Sequence, residues 1–358
     1  MNSTLRAILL TPTALPRLTG NAVTAERWRF ALSQEGVMVN VIETQNLSPA
    51  GLVDVLDRFH PHVVHAHHIS RAGALMLDPL VAAKYGHLPL VVSPGGTDIN
   101  LHVMKEKGMK IIGQTCRAAR AIIAQSPEIA HLLQELLPDL KGRIAAVPKS
   151  FLWFGKDHYD LRTVAGCGRQ DILFFMPAGI RPVKGNLECL RAMEKAQASC
   201  PEIRLVFSGP ALDVRYAGRF QQEIQRMASF ASWLPGIPLR AMHSAYQGAD
   251  VVLNHSLSEG LSNALLEAMA AGIPVLASDI PGNRWLVGDK NGIGPCGCLF
   301  NPGDPGDFIG KVIRLVQDTA LRASLAANGR LRAAAWPGPT DEARGLLNVY
   351  AAVIRKCC

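Results

Sequence analysis

Residues 256–283 read SLSEGLSNALLEAMAAGIPVLASDIPGN. The apolar run Val251–Asn254 just before them reads as a buried strand, and Pro274–Ala277 within them reads as the next. Between the two, Ser-Glu-Gly-Leu-Ser-Asn makes a turn, and Ser262 or Asn263 is a natural N-cap for a helix ending near Ala271. A helix start after a strand offers unsatisfied N–H groups and a partial positive charge, which together hold a phosphate. Glu259 stands before this helix and Glu267 about one turn inside it. Eight helical steps would separate them by roughly 12 Å. At that spacing two carboxylates share no proton, so they are expected to bind different parts of one extended ligand. A Glu at position 267 is also what the helix dipole favours on a solvated face.

The same rhythm runs through all 358 residues. Candidate strands are Arg6–Leu10, Val37–Ile42, Val63–His65, Leu90–Ser93, Ala121–Ala124 and Ile144–Val147, then Ile172–Met176, Ile203–Ser208, Val251–Asn254 and Pro274–Ala277. Helical periodicity fills Ala22–Gln34, Pro49–Phe59 (with Ser48 as N-cap), Asn186–Ala198 and Ser262–Ala271. Around Val147–Arg169 the alternation breaks into Pro, Gly and aromatics, a linker, and Thr340–Lys356 reads as a closing helix after Pro337. The expected fold class is α/β, two doubly wound Rossmann-like halves with parallel sheets, the ligand lying in the cleft between them. The expected domains are 1–155, 165–335 and a C-terminal helix and tail, 336–358, returning towards the first.

Composition narrows the rest. With 48% hydrophobic and 18% charged residues the chain is not disordered, and no apolar run approaches the roughly 18 residues of a membrane span. The net charge of +8 suggests an anionic ligand: phosphate, nucleotide, nucleic acid or an acidic membrane surface. Nucleic acid is disfavoured, because the basic residues are spread rather than clustered with aromatics. Eight scattered cysteines without C-x-x-C pairs, Cys296, Cys298 and the terminal Cys357-Cys358 among them, imply reduced thiols. The first apolar segment is too short for a signal peptide, so a cytoplasmic protein is expected.

A second motif is PAGIRPVKGN, residues 177–186. Arg181 and Lys184, three apart at a strand's carboxyl end, can clamp two phosphates, Arg as a planar fork and Lys as a point charge. In the N-terminal half, LTGNAVTAERW places Gly20 and Asn21 in a loop where the backbone can approach a ligand, with a helix starting in the Thr24–Trp28 region. His60, His62, His65, His67 and His68 cluster around one strand, where alternation sends neighbours to opposite faces and disfavours a metal site. His67 and His68 fall at its carboxyl end. Asp98, in Ser93-Pro94-Gly95-Gly96-Thr97-Asp98, is either a polar group in the cleft or an Asx-type cap.

The 256–283 run resembles the C-terminal signature of the family-4-type retaining glycosyltransferases, which have the two-domain GT-B architecture. The resemblance is strong over about 171–308 and moderate over the N-terminal half. It implies that Glu259 lies near the transferred sugar, that Glu267 binds the nucleotide ribose, and that Gly260, Leu261, Ser262 and Asn263 face the donor diphosphate. It assigns Arg181 and Lys184 to the diphosphate leaving group, so neither a metal nor a cofactor is expected. Gly20, Asn21 and Gly209 complete the implied donor-binding set, and Asp98 joins Glu259, Arg181 and Lys184 as catalytic. Thr-Gly-Asn-Ala-Val-Thr-Ala and Gly-Gly-Thr-Asp-Ile-Asn look like the subgroup of glycosyltransferase 1 domain-containing proteins; a bacterial selenosugar synthase group is similar in the first segment. The chain departs from the family at Gly95, where many members carry a His that contacts the sugar. The implied activity is transfer of a sugar from a nucleotide-diphosphate donor to an unidentified acceptor with retention. The alternatives are a sugar-nucleotide epimerase or hydrolase, a selenosugar-synthase-like transferase, and a non-catalytic sugar-nucleotide binder. Acceptor choice rests on loops such as Leu101–Lys110, and peripheral contact with anionic lipid is compatible with the family.

Overall fold

The computed structural model describes residues 4–96, 98–99, 105–289 and 292–355. It divides into two compact units, Met1–Phe151 with Pro337–Cys358, and Leu152–Trp336. The first holds a parallel sheet of β1 (Arg6–Thr11), β2 (Met38–Glu43), β3 (Val63–His67), β4 (Leu90–Ser93), β5 (Ala121–Ala124) and β6 (Ile144–Ala146). Its strand order is β2-β1-β3-β4-β5-β6. The second holds β7 (Ile172–Pro177), β8 (Ile203–Ser208), β9 (Ala231–Leu234), β10 (Val251–Asn254), β11 (Val275–Ser278) and β12 (Gly297–Phe300), in the order β12-β11-β10-β7-β8-β9. All pairings are parallel, so both faces of each sheet need helical cover, which explains why β3, β4, β5, β10 and β11 are largely apolar and are buried along their length. Two α/β units of this topology match the expected fold class.

In the first unit one face of the sheet packs Ile8, Leu10, Val64 and Ile122 against Leu52, Leu56, Ile112 and Leu133. The other packs Leu9, Val63, Val91 and Ile123 against Trp28, Leu32, Leu346 and Tyr350. The helix Pro339–Arg355 thus covers this sheet together with the helix Gly20–Gln34. In the second unit Phe174, Leu205, Phe207 and Val251 meet Leu190, Met193, Phe220, Phe308 and Leu315.

Two strands escape the sequence pattern, β9 and β12. Both are four-residue edge strands, ASWL and GCLF, whose half-buried positions carry too little apolar signal. The first helix begins at Gly20, two residues before the expected Ala22 and ahead of the Thr24–Trp28 region, because Thr19 caps it: its side chain accepts from Ala22 N. Gly20 and Asn21 are therefore the first helical turn and not a loop. The linker 147–169 contains one short helix, Leu161–Val164. Cys357, Cys358 and residues 101–104 lie outside the described residues, and 106–110 of the expected loop Leu101–Lys110 instead begin the helix Glu106–Ala118.

Candidate functional site

The second unit gathers its chemistry at the carboxyl ends of β7, β10 and β11. After β7 the chain passes Arg181 in an extended conformation and turns through Pro182–Lys184 into the helix Asn186–Ser199. Asn186 Oδ1 accepts from Arg181 N at 3.2 Å, closing that turn. Lys184 Nζ lies 2.5 Å from Glu259 Oε1, so the basic and acidic motifs, 75 residues apart, form one partly buried ion pair, with 18% and 12% side-chain exposure. Glu259 also accepts from Ser256 Oγ at 2.7 Å and Asn254 Nδ2 at 3.2 Å. Burial alone would raise its pKa, but the Lys184 charge and these hydrogen bonds hold it below the ordinary carboxylate value, so Glu259 is ionised.

Ser262 occupies the cap position of the helix Asn263–Ala271, as expected, yet its hydroxyl makes no cap bond. It accepts instead from Asn254 Nδ2 at 3.1 Å. Glu259 lies four residues ahead of the helix, which corrects its placement by helical steps. Glu267, inside the helix, accepts from Tyr246 Oη at 2.8 Å, and Tyr246 packs edge-on against Trp153 and Phe175. The two carboxylates have separate partners, Lys184 for Glu259 and Tyr246 for Glu267. Leu261 is 6% exposed, so its side chain is buried and does not face solvent. Gly209 follows β8 where the Ala178 carbonyl approaches; a Cβ there would sit 2.5 Å from Ala178 O.

Four residues that carry this geometry went unremarked in the sequence reading: Asn254, Ser256, Ser278 and Asn283. Asn283 Nδ2 donates to Asn254 Oδ1 at 3.3 Å and to Ser278 O at 3.1 Å, and Ser278 Oγ donates to Ser256 O at 2.5 Å. Asn254 Oδ1 also accepts from Ser256 N. All four are buried. They fix the turn that presents Glu259. Gly282 presses the same turn from behind, where a Cβ would lie 2.4 Å from Gly260 O. The available signal was a polar residue closing each apolar strand, VVLN and VLAS.

In the first unit Asp98, expected as a polar cleft group or an Asx-type cap, makes cap-like bonds to backbone N–H groups. It is fully buried, and its carboxylate accepts from Ile69 N at 2.7 Å, Gly95 N at 3.0 Å and Ile99 N at 3.1 Å. It ties the loops after β3 and β4 together, since three N–H donors satisfy a buried carboxylate better than exposure would. His68 Nδ1 stands 3.6 Å away. His68, at φ +84°, fills the space beside Gly95: a Cβ on residue 95 would lie 2.9 Å from His68 Cδ2 and 3.1 Å from Asn21 Oδ1. The histidines of β3 form no metal cluster among the described residues. His65 and His67 instead share Ser93 Oγ, at 3.0 and 3.1 Å, and both pack on Trp28. Among the described residues no helix is long and apolar enough to cross a membrane.

Residues 162–332 match the family model of glycosyl transferases group 1. Glycosyltransferase 1 domain-containing protein 1 of Xenopus tropicalis is 25% identical over 321 residues, spanning 87% of this chain and 88% of its own. The sulfoquinovosyl transferase SQD2 of Arabidopsis thaliana is 26% identical over 307 residues, 79% of this chain and 55% of its own. Among solved structures, Anabaena Alr3699/HepE in complex with UDP and glucose superposes with a TM-score of 0.76 at 16% identity, covering 97% of this chain and all of that one. Sucrose-phosphate synthase of Thermosynechococcus elongatus gives a TM-score of 0.81, also at 16% identity, over 98% of this chain and all of that one. The chain has the GT-B fold of these neighbours, and its residues 162–332 are similar to the glycosyl transferases of group 1.

Proposed function

We propose that this protein transfers a glycosyl group from a nucleoside-diphosphate sugar to an acceptor, with retention and without a metal. The observation that carries the reading is the Lys184–Glu259 pair, which joins the phosphate-binding and sugar-proximal motifs in one site. Lys184 has three N–H donors and spends one on Glu259, so the ammonium can also hold a phosphate oxygen. Glu259 keeps that ammonium in place before the donor arrives, and preorganised charge of this kind lowers the barrier without rearrangement. Arg181 and the start of the Asn263–Ala271 helix supply the remaining positive potential for a diphosphate that gains charge as the glycosidic bond breaks. In this mechanism the leaving phosphate takes the acceptor's proton, and Glu267 anchors the ribose from the Tyr246 side. The neighbour bound to UDP makes a uridine donor the first to try.

The test is thermal shift against UDP-, GDP- and ADP-sugars in EDTA, followed by donor turnover. A donor at 100 times its dissociation constant adds about 2.7 kcal/mol of stability. Lys184→Ala is expected to lose roughly 10²–10³ in turnover, the usual cost of a charge-stabilising donor. Near-normal activity in that variant refutes the assignment. Gly95, standing where the family's His is common, favours one rival, a sugar-nucleotide binder without transfer. Tight donor binding with no turnover across an acceptor panel would select it.

A further inference from the structure

A chain of hydrogen bonds crosses the first unit from its last helix to the carboxyl end of β3. Tyr350 Oη lies 2.7 Å from His65 Nδ1, His65 Nε2 lies 3.0 Å from Ser93 Oγ, and Ser93 Oγ lies 3.1 Å from His67 Nδ1. Tyr350, His65 and Ser93 are fully buried, and His67 is 4% exposed. Each hydroxyl has one proton to give, and each neutral imidazole has one donor and one acceptor nitrogen. Tyr350 has no other hydrogen-bond partner among the described residues. A buried hydroxyl that donates to nothing is costly, so Tyr350 gives its proton to His65 Nδ1.

The rest follows in order. With Nδ1 accepting, His65 carries its proton on Nε2 and donates it to Ser93 Oγ. Ser93 then gives its own proton to His67 Nδ1, leaving the His67 proton on Nε2. Charging either ring would break this order. Burial keeps both neutral, drawing the His65 pKa down to about 3 and that of His67 well below its ordinary value. Trp28 fixes the rings, stacked on His65 at 4.7 Å and edge-on to His67 at 5.0 Å.

We infer that His67 is held as the neutral Nε2–H tautomer and donates that hydrogen bond to a hydroxyl oxygen of a sugar or polyol bound at the carboxyl edge of the first sheet. His67 Nε2 has no partner among the described residues, and it lies where β3 pairs with the end of β4, at Ser93. That edge, with Gly95 and Asn21 beside it, is where parallel sheets bind ligands. A neutral N–H suits an uncharged hydroxyl, whereas a phosphate calls for a cation. The substrate side of this assignment rests on the glycosyl-transfer reading, and the tautomer does not.

The experiment is long-range proton–nitrogen NMR on the full chain with labelled histidine, using His67→Gln to assign the signal. The expected result is an Nε2–H tautomer at His67 whose Nε2 resonance moves with D-glucose or UDP-glucose and not with inorganic phosphate. Tyr350→Phe should turn the single tautomer into a mixture at both His65 and His67. An Nδ1–H or charged His67 in the wild type overturns the relay. A response to phosphate alone, or to no probe, overturns the ligand assignment. In a donor-turnover assay, His67→Asn should lose about tenfold in kcat/KM, the size of one hydrogen bond. His67→Gln, whose amide reaches the Nε2 position, should lose clearly less, and equal losses count against the donor role. If the wild type transfers no sugar at all, the glycosyl-transfer reading fails while the tautomer result still stands or falls by itself.

Discussion

Glu342 is the perturbation with the most predictable cost. Its carboxylate, on the helix Pro339–Arg355, accepts from Arg27 Nε at 2.8 Å and Arg27 Nη2 at 3.0 Å. It also accepts from Trp28 Nε1 at 2.6 Å, Ser150 N at 3.1 Å and Ser150 Oγ at 2.5 Å. The Arg27 and Glu342 side chains are 2% and 1% exposed. Glu342→Ala leaves the Arg27 charge buried without its counter-ion, which costs about 3–5 kcal/mol. For a unit of this size each kcal/mol moves the melting temperature by about 2–4 °C, so a fall of about 6–20 °C is expected by calorimetry. Replacing both partners, Arg27→Met with Glu342→Leu, should recover part of it, because the burial penalty of both charges disappears together while Trp28 and Ser150 still lose their acceptor. The pH dependence has a definite sign. Burial would raise the Glu342 pKa, but the Arg27 charge and the hydrogen bonds from Arg27, Ser150 and Trp28 hold it below its ordinary value. The contribution is therefore complete above the unfolded carboxylate pKa and is lost as pH falls through the lowered folded one. An alanine variant within about 1 kcal/mol of wild type, or a double variant no better than it, would refute this account.

Three more outcomes are expected. Glu259→Gln removes the counter-charge of Lys184 and should lower turnover by about 10²-fold, while UDP affinity, read by calorimetric titration, holds or improves because a negative charge beside the diphosphate is gone. Gly282→Ala puts a Cβ 2.4 Å from Gly260 O and 2.8 Å from Glu259 O, both backbone atoms that cannot swing away. It should cost about 1–3 kcal/mol in denaturant unfolding and reduce turnover as well. Gly95→His should fail to install the family's histidine, because the ring of His68 stands 2.9 Å from the new Cβ. Unfolding should show the clash as a loss of stability, relieved when His68→Ala is added.

The fold was legible because a buried parallel strand is a short apolar run and the helices around it repeat every 3.6 residues. Ten of the twelve strands announced themselves this way, whereas β9 and β12, at opposite edges of the second sheet, bury too little to do so. Caps were legible where side chain and backbone meet locally, as at Ser48, which accepts from Gly51 N. At Ser262 the cap residue was right and its bond was not, since Asn254 competes for the hydroxyl from another strand. Local chemistry can be read from spacing; a competitor eight residues upstream cannot.

The same limit explains Asp98 and Glu259, two carboxylates in short loops after strands. The family resemblance implied a place in the site for both. Their environments separate them: Asp98 has three backbone N–H groups from two loops and no exposure, so its charge is consumed in holding the chain. Glu259 is held by side chains, one of them an ammonium that still has N–H bonds to give. A carboxylate tied to backbone amides can only fix geometry, because its donors cannot turn to a ligand. One tied to a lysine fixes the lysine, and the lysine can then meet the ligand. The difference lies in what the donors are free to do next, and for that reason the Lys184–Glu259 pair, and not Asp98, carries the functional reading.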